Sequence, residues 1–156
     1  MSESALPDWW SETSSALDAK MGLEVTELTP GRTVGSMPVE GNTQPFGLWH
    51  GGASCVLAET LASIASFAHA QPGGAAVGVD LNATHHRPVR SGRVTGVATA
   101  LHLGRRVTSY EVVITDGSGA RVCTARVTCH VVRPGHGGSA PDARADDAGP
   151  AGGPRS

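Results

Sequence analysis

Between Gln44 and Ser63 the chain gathers groups that could act on a carbonyl. His50-Gly51-Gly52 sets two amides without side chains at the start of a helix-forming stretch. Free N–H groups there, at the positive end of the helix dipole, bind developing negative charge. Eight residues after Gly51 stands Glu59, the one acid in ASCVLAETLASIASFAHA, a stretch that has no Lys or Arg. A carboxylate in apolar surroundings is costly unless it is paired, neutralised or placed at a cleft. An anion-stabilising helix start and a lone carboxylate on one element suggest acyl chemistry. The amide would polarise a carbonyl, and the carboxylate would attack it or activate water.

The element that must position these groups is a helix of about five turns from Ala53. Val56, Leu57, Leu61, Ile64, Ala65, Phe67 and Ala68 spread around its circumference, whereas a surface helix has one apolar stripe, so it is expected inside a fold. Gln71-Pro72-Gly73-Gly74 stops it. Ahead of it, Leu23 to Thr29 and Gly31 to Val39 read as strands; after it, Ala76 to His86, Gly92 to Leu103, Val107 to Thr115 and Ala120 to Val132 do so too. Turns at Leu103-Gly104-Arg105-Arg106 and Asp116-Gly117-Ser118-Gly119 join the later ones. Two strands, a buried helix and a four-strand meander predict an α+β fold, an antiparallel sheet of about six strands curled around one long helix.

Residues 1–22 should form an N-terminal helical segment, a single short helix from Leu6 to Lys20 with Asp8 near its N-cap and Trp9, Trp10 and Leu17 on its apolar side. Residues 23–132 form the predicted domain. From Arg133 the chain turns to Gly, Pro, Ala and charge, which predicts a disordered tail over 133–156.

A formal net charge of -2 over 156 residues gives no field for nucleic acid or an anionic membrane. The start, Met1-Ser2-Glu3-Ser4, lacks the basic and apolar regions of a signal peptide, and Glu59 argues against a membrane span, so a cytoplasmic protein is expected. Cys123 and Cys129 fall on one strand about 20 Å apart, beyond disulfide reach, and are expected with Cys55 as core fillers. The seven histidines show no metal-binding spacing, and His85-His86 should point to opposite faces of a strand.

QPFGLWHGGASCVLAET, followed by VGVDLNATHHRP and SGRVTGVATALHLGRR, resembles the hotdog-fold acyl-CoA thioesterases over roughly Leu23 to Val132. The similar branch includes phenylacetate-pathway thioesterases, 4-hydroxybenzoyl-CoA thioesterase of the Arthrobacter type and 1,4-dihydroxy-2-naphthoyl-CoA hydrolase. The resemblance implies Glu59 as catalytic nucleophile or general base, and the Gly51 amide polarising the thioester carbonyl. It further implies that Gln44 aligns the acyl group, His50 contacts the thioester region and Ser63 orients water. CoA would lie along Gly78, along His85, His86, Arg87 and Pro88, and along His102, Leu103, Gly104, Arg105, Arg106 and Val107. No metal and no cofactor are implied, CoA being part of the acyl-CoA substrate. Helix geometry adds that Gly51 and Glu59 are about 12 Å apart along one axis, too far to act on one carbonyl carbon. The site should therefore be built from two chains of a homodimer, and the resemblance suggests a homotetramer.

Plainer roles compete. Glu59 could face solvent along a seam, Gly51-Gly52 serve close helix packing, His50 cap the helix start, Gln44 cap a loop, and Ser63 bond back to a carbonyl. The arginines could be solvated loop charges. Two other functions compete as well: a hotdog enoyl-CoA hydratase or dehydratase, and a non-catalytic acyl-CoA binding module. Released thiol, or absorbance gained from an enoyl-CoA, separates the enzymes; a Glu59→Ala protein with full biological effect would favour the module.

Overall fold

The computed structural model describes residues 6–13 and 15–133. In chain order, a 3-10 turn (Asp8–Glu12) and helix α1 (Ala16–Met21) lead into strands β1 (Glu24–Leu28) and β2 (Arg32–Pro38). The long helix α2 (Gly51–Ala70) follows, then β3 (Ala75–His85), β4 (Arg93–Leu103), β5 (Val107–Thr115) and β6 (Arg121–Val132). Every expected strand forms, within one residue at each end. The segment expected to be a disordered tail lies, apart from Arg133, outside the described residues.

All six strands make one antiparallel sheet in the order β1-β2-β4-β5-β6-β3. This corrects the expected four-strand meander. Only β4, β5 and β6 follow one another as neighbours; β3 lies beyond β6, paired from Ala75↔Val132 to His85↔Cys123. The cause is α2, which crosses the sheet after β2 and delivers the chain to the opposite edge. From there the connection through Arg87, Pro88 and Gly92 returns it to β4 beside β2. The β3–β4 junction also carries turn residues, Pro88 and Ser91-Gly92 with Gly92 at φ 83, but they turn the chain away from β3 rather than into a hairpin.

The single helix expected at the N-terminus is two pieces. Ser15 starts α1 afresh, its side chain accepting from the Asp18 amide, and the Thr13 hydroxyl donates back to the Trp9 carbonyl. A hydroxyl that bonds its own backbone breaks a helix more readily than it continues one. Leu17, expected on the apolar side, is 51% exposed. Trp9 does pack, edge-on to Phe67 of α2 with ring centroids 5.0 Å apart, and the Thr60 hydroxyl of α2 donates to Asp18 at 3.0 Å.

The core lies between α2 and the concave face of the sheet. Leu57, Ala58, Leu61, Ala62 and Ala65 are fully buried against Met37, Val94, Val112, Ile114 and Val127. Each leucine contributes about 1.5–3 kcal/mol by leaving water. Cys123 and Cys129 are buried among them, as expected. Two glycines let the helix come this close. Gly35 and Gly96 are cross-strand partners on β2 and β4, and Leu61 sits over both. A Cβ on Gly35 would lie 2.9 Å from Leu61 Cδ2, and one on Gly96 2.7 Å from Leu61 Cδ1.

The helix is not enclosed all round within one chain. Cys55, Val56, Glu59, Ser63, Ile64 and Phe67 are only half-buried, although Glu59 still meets Gly78 on β3 and Ser63 meets Cys129 on β6. A single sheet covers one side of a helix, and the N-terminal segment covers part of the other. By length and apolarity α2 could cross a membrane, but its sheet-facing residues are the core.

Overpacking a filled core costs about 1–3 kcal/mol. Gly96→Val should therefore lower the unfolding free energy by about that amount in a urea titration. An unchanged midpoint would mean that α2 sits farther from the sheet than described.

Candidate active site

α2 begins where the loop through Gln44 is tied down. The Trp49 indole, buried beside the helix, donates to Ser54 Oγ at 2.7 Å, and the Trp49 amide donates to the Val89 carbonyl at 2.8 Å. The His50 amide donates to the Asn42 carbonyl at 2.9 Å, while the Asn42 side chain donates to the Met21 and Pro38 carbonyls. Asn42 thus fixes the entry to the helix.

His50 is the N-cap, with Nδ1 accepting from the Gly52 amide at 2.8 Å. Of the two amides expected to be free, Gly52's is taken. The Gly51 amide donates to no acceptor among the described residues. Glycine is needed at 51 for a reason the sequence did not disclose: a Cβ there would stand 2.9 Å from His85 Nε2. Gln44 Oε1 accepts from the Phe46 amide, so its side chain caps the turn that exposes Phe46.

Gln44, Leu48, Gly51, His85, Arg87 and Pro88 enclose a cleft of about 380 Å³ at this end of α2, with His86, Trp49 and Val122 completing its walls. The structure therefore brings together Gln44, Gly51 and the His85–Pro88 run. His85 and His86 diverge as expected, His85 toward Gly51 and His86 toward the Thr124 hydroxyl, 2.9 Å away.

Glu59 is not part of that cleft. It lies eight residues along the same helix, about 12 Å by the helical rise. Ser63 Oγ donates to Glu59 Oε1 at 3.1 Å and stands 3.9 Å from Cys129 Sγ, in hydrogen-bonding contact; burial pushes that thiol above its ordinary pKa, keeping it neutral. Gly78, on edge strand β3, leaves room for the carboxylate, since a Cβ there would collide with Glu59 Oε1. The register slips between Gly78 and Asp80, and such a bulge re-aims the strand next to the carboxylate.

The third group stands apart again. His102, Leu103, Gly104, Arg105, Arg106 and Val107 form the β4–β5 turn, and the Gly104 carbonyl lies 3.0 Å from Nε2 of His69 in the last turn of α2. Arg87 and Arg105 thus sit at opposite ends of a helix about 30 Å long. Leu48 and Trp49 line the cleft, whereas Phe67 packs on Trp9. No three His, Cys, Asp or Glu among the described residues converge to hold a metal ion.

The thioesterase superfamily profile matches residues 46–123, half of the chain. Proofreading thioesterase EntH of Klebsiella pneumoniae is 48% identical over 116 residues, covering 74% of this chain and 85% of that protein. The chain belongs to the thioesterase superfamily. Among solved structures, thioesterase HI1161 of Haemophilus influenzae is 37% identical, with a TM-score of 0.73 over 77% of this chain and 85% of that one. A mutant of thioesterase PA1618 of Pseudomonas aeruginosa is 38% identical, with a TM-score of 0.76 over 82% and 96%. The hotdog architecture and an enzyme that hydrolyses thioesters are thereby established.

For this thioesterase the role of His50 at the helix start is directly testable. Losing a good N-cap costs about 0.5–2 kcal/mol. His50→Ala should lose that much stability in chemical denaturation, and His50→Asn, which can cap, should recover most of it. Wild-type stability in His50→Ala would show that the ring is not needed as a cap.

Proposed function

We propose that the thioesterase hydrolyses an acyl-CoA with an aromatic acyl group to the free acid and CoA, in a site shared by two copies of the chain. The observation that carries this is the separation of an unpartnered Gly51 amide from Glu59 on one side of one helix. Both are half-buried and face the edge strand β3, Gly51 beside His85 and Glu59 beside Gly78. A two-fold axis running the α2 helices of two chains antiparallel would set Gly51 of one against Glu59 of the other.

The edge of the sheet favours such pairing. β3 is an 11-residue edge strand with Val77 and Val79 55% and 62% exposed, and a long apolar edge offers unpaired backbone groups to a second strand. Antiparallel helices would also draw Arg87 of one chain toward the Arg105-Arg106 turn of its partner, reuniting groups held apart within one chain. Exposed Leu101 on the outer face of the sheet suits the further pairing of dimers into a tetramer.

In the mechanism, the Gly51 amide donates to the thioester oxygen and steadies the charge that grows there. Glu59 attacks the carbonyl carbon, expelling the CoA thiolate and leaving a mixed anhydride that water cleaves; or it takes the proton of a water that attacks directly. Either route consumes one water and yields acid and thiol. Ser63, bonded to Glu59 Oε1, holds the carboxylate or the water in place. Val56, half-buried three residues before Glu59 and so on the adjoining face of α2, suits a flat apolar ring, and the resemblance to aromatic-acyl thioesterases points the same way.

Glu59→Gln keeps an acceptor for Ser63 but removes the base. With a benzoyl-CoA or phenylacetyl-CoA substrate, kcat from released thiol should fall by at least about a hundredfold, with KM changed little. Near-wild-type turnover would remove Glu59 from the mechanism.

A further inference from the structure

A polar seam runs between α2 and the sheet. Along the helix it holds Glu59, Ser63 and Ser66. Across the sheet it holds Gly78 of β3, Cys129 of β6 and Thr108 of β5, which are cross-strand partners and so share the face turned to the helix. Glu59 and Ser63, one helical turn apart, lie over the Gly78–Cys129 pair. A Cβ on Gly78 would strike Glu59 Oε1, and Ser63 Oγ is 3.9 Å from Cys129 Sγ. Deeper in, the fully buried Ser66 and Thr108 hydroxyls lie 2.8 Å apart, and both face the same thiol.

The contact between Ser63 and Cys129 has a direction. Ser63 has one hydroxyl proton and donates it to Glu59 Oε1 at 3.1 Å, since an ionised carboxylate only accepts. Ser63 Oγ can then only accept from Cys129. The thiol has the proton to give, because burial raises its pKa and keeps it neutral. The chain therefore runs from the Cys129 S–H to the Ser63 O–H to the Glu59 carboxylate. A helix serine has a competing choice, for its hydroxyl can turn back to the carbonyl four residues earlier. A donor on the far side of Ser63 Oγ favours the orientation that faces the carboxylate. An apolar filler in that place would leave the hydroxyl free to turn.

We propose that Cys129 is a positioning residue for thioester hydrolysis: its S–H donates to Ser63 Oγ and holds the hydroxyl proton of Ser63 on Glu59. The proposal rests on the reading of Glu59 as the catalytic carboxylate. Cys129 is fully buried, so it acts on the reaction only through Ser63. The thiol is a weak donor, which makes the effect modest, and the chain ends on the carboxylate, which places the effect on kcat rather than KM.

The test measures turnover of benzoyl-CoA by Cys129→Ala, Ser63→Ala and the double variant. Cys129→Ala should lower kcat about three- to tenfold, as loss of one hydrogen bond does, with KM little changed. In the Ser63→Ala background the same substitution should cost nothing further. Cys129→Ser, which keeps a donor, should retain more turnover than Cys129→Ala. A second readout needs no catalysis. Donation lowers the S–H stretching frequency, so the infrared band that Cys129→Ala removes should move to higher frequency in Ser63→Ala. Should Cys129→Ala fail to fold, Cys129→Val, apolar and suited to a strand, takes its place in the cycle. Equal losses with and without the Ser63 hydroxyl, or an S–H band unmoved by Ser63→Ala, would reduce Cys129 to core packing and overturn the proposal, leaving the role of Glu59 intact. Wild-type turnover in Glu59→Gln would instead overturn the catalytic reading and the proposal together.

Discussion

How near the sheet allows α2 to approach governs the rest of the structure. Gly35 and Gly96 remove the two side chains that would hold Leu61 away, and Gly78 removes the one that would strike Glu59. The first pair sets the depth of the helix in the core, and the third leaves space at the sheet edge for a carboxylate on the same helix. A side chain at any of these positions would require the helix or its neighbours to move, because a packed interior has no slack to absorb it.

That seating divides α2 lengthwise. Its core side is filled by leucine and alanine; Glu59 and Ser63 lie half-buried toward β3 and β6, Val56, Ile64 and Phe67 are half-buried beyond them, and Gly51 starts the helix beside His85. One chain supplies every group the proposed chemistry needs and holds them too far apart to use together. The Gly51 cleft is at one end of the helix, the carboxylate near the middle and the Arg105-Arg106 turn at the other end. A second copy is the simplest source of the missing proximity, and the exposed β3 edge is where it would join.

Much of the fold was legible because its signals are local. Valine- and threonine-rich runs bounded by Gly-containing turns located the strands, and the apolar run after Gly52, with Glu59 as its one acid, located the helix. Strand order was not legible: pairing of β3 with β6 depends on where α2 delivers the chain, and the turn residues Pro88 and Gly92 in the β3–β4 connection do not reveal that it crosses. The break between Asp8 and Met21 was hidden because Ser15 can sit within a helix or cap a new one, and only tertiary contacts decide. In the candidate site, residue types marked Gly51, Glu59 and Ser63, since a lone acid in an apolar run is conspicuous. That Gly52 is capped by His50, that His85 crowds Gly51 and that Arg133 reaches His69 arise from contacts between distant segments.

The central claim, a site completed across two chains, is tested most directly by mixing two inactive variants, Glu59→Ala and Gln44→Ala, under conditions that exchange subunits. In a mixed dimer one site would carry both lesions, and the other would hold an intact Gln44 and an intact Glu59 from opposite chains. Random reassortment of equal amounts makes about half of the dimers mixed, so about a quarter of wild-type activity should return, given that Gln44→Ala alone is severely impaired. No recovery, with exchange verified by mass spectrometry of differently tagged chains, would place Gln44 and Glu59 of each site in one chain and contradict the account.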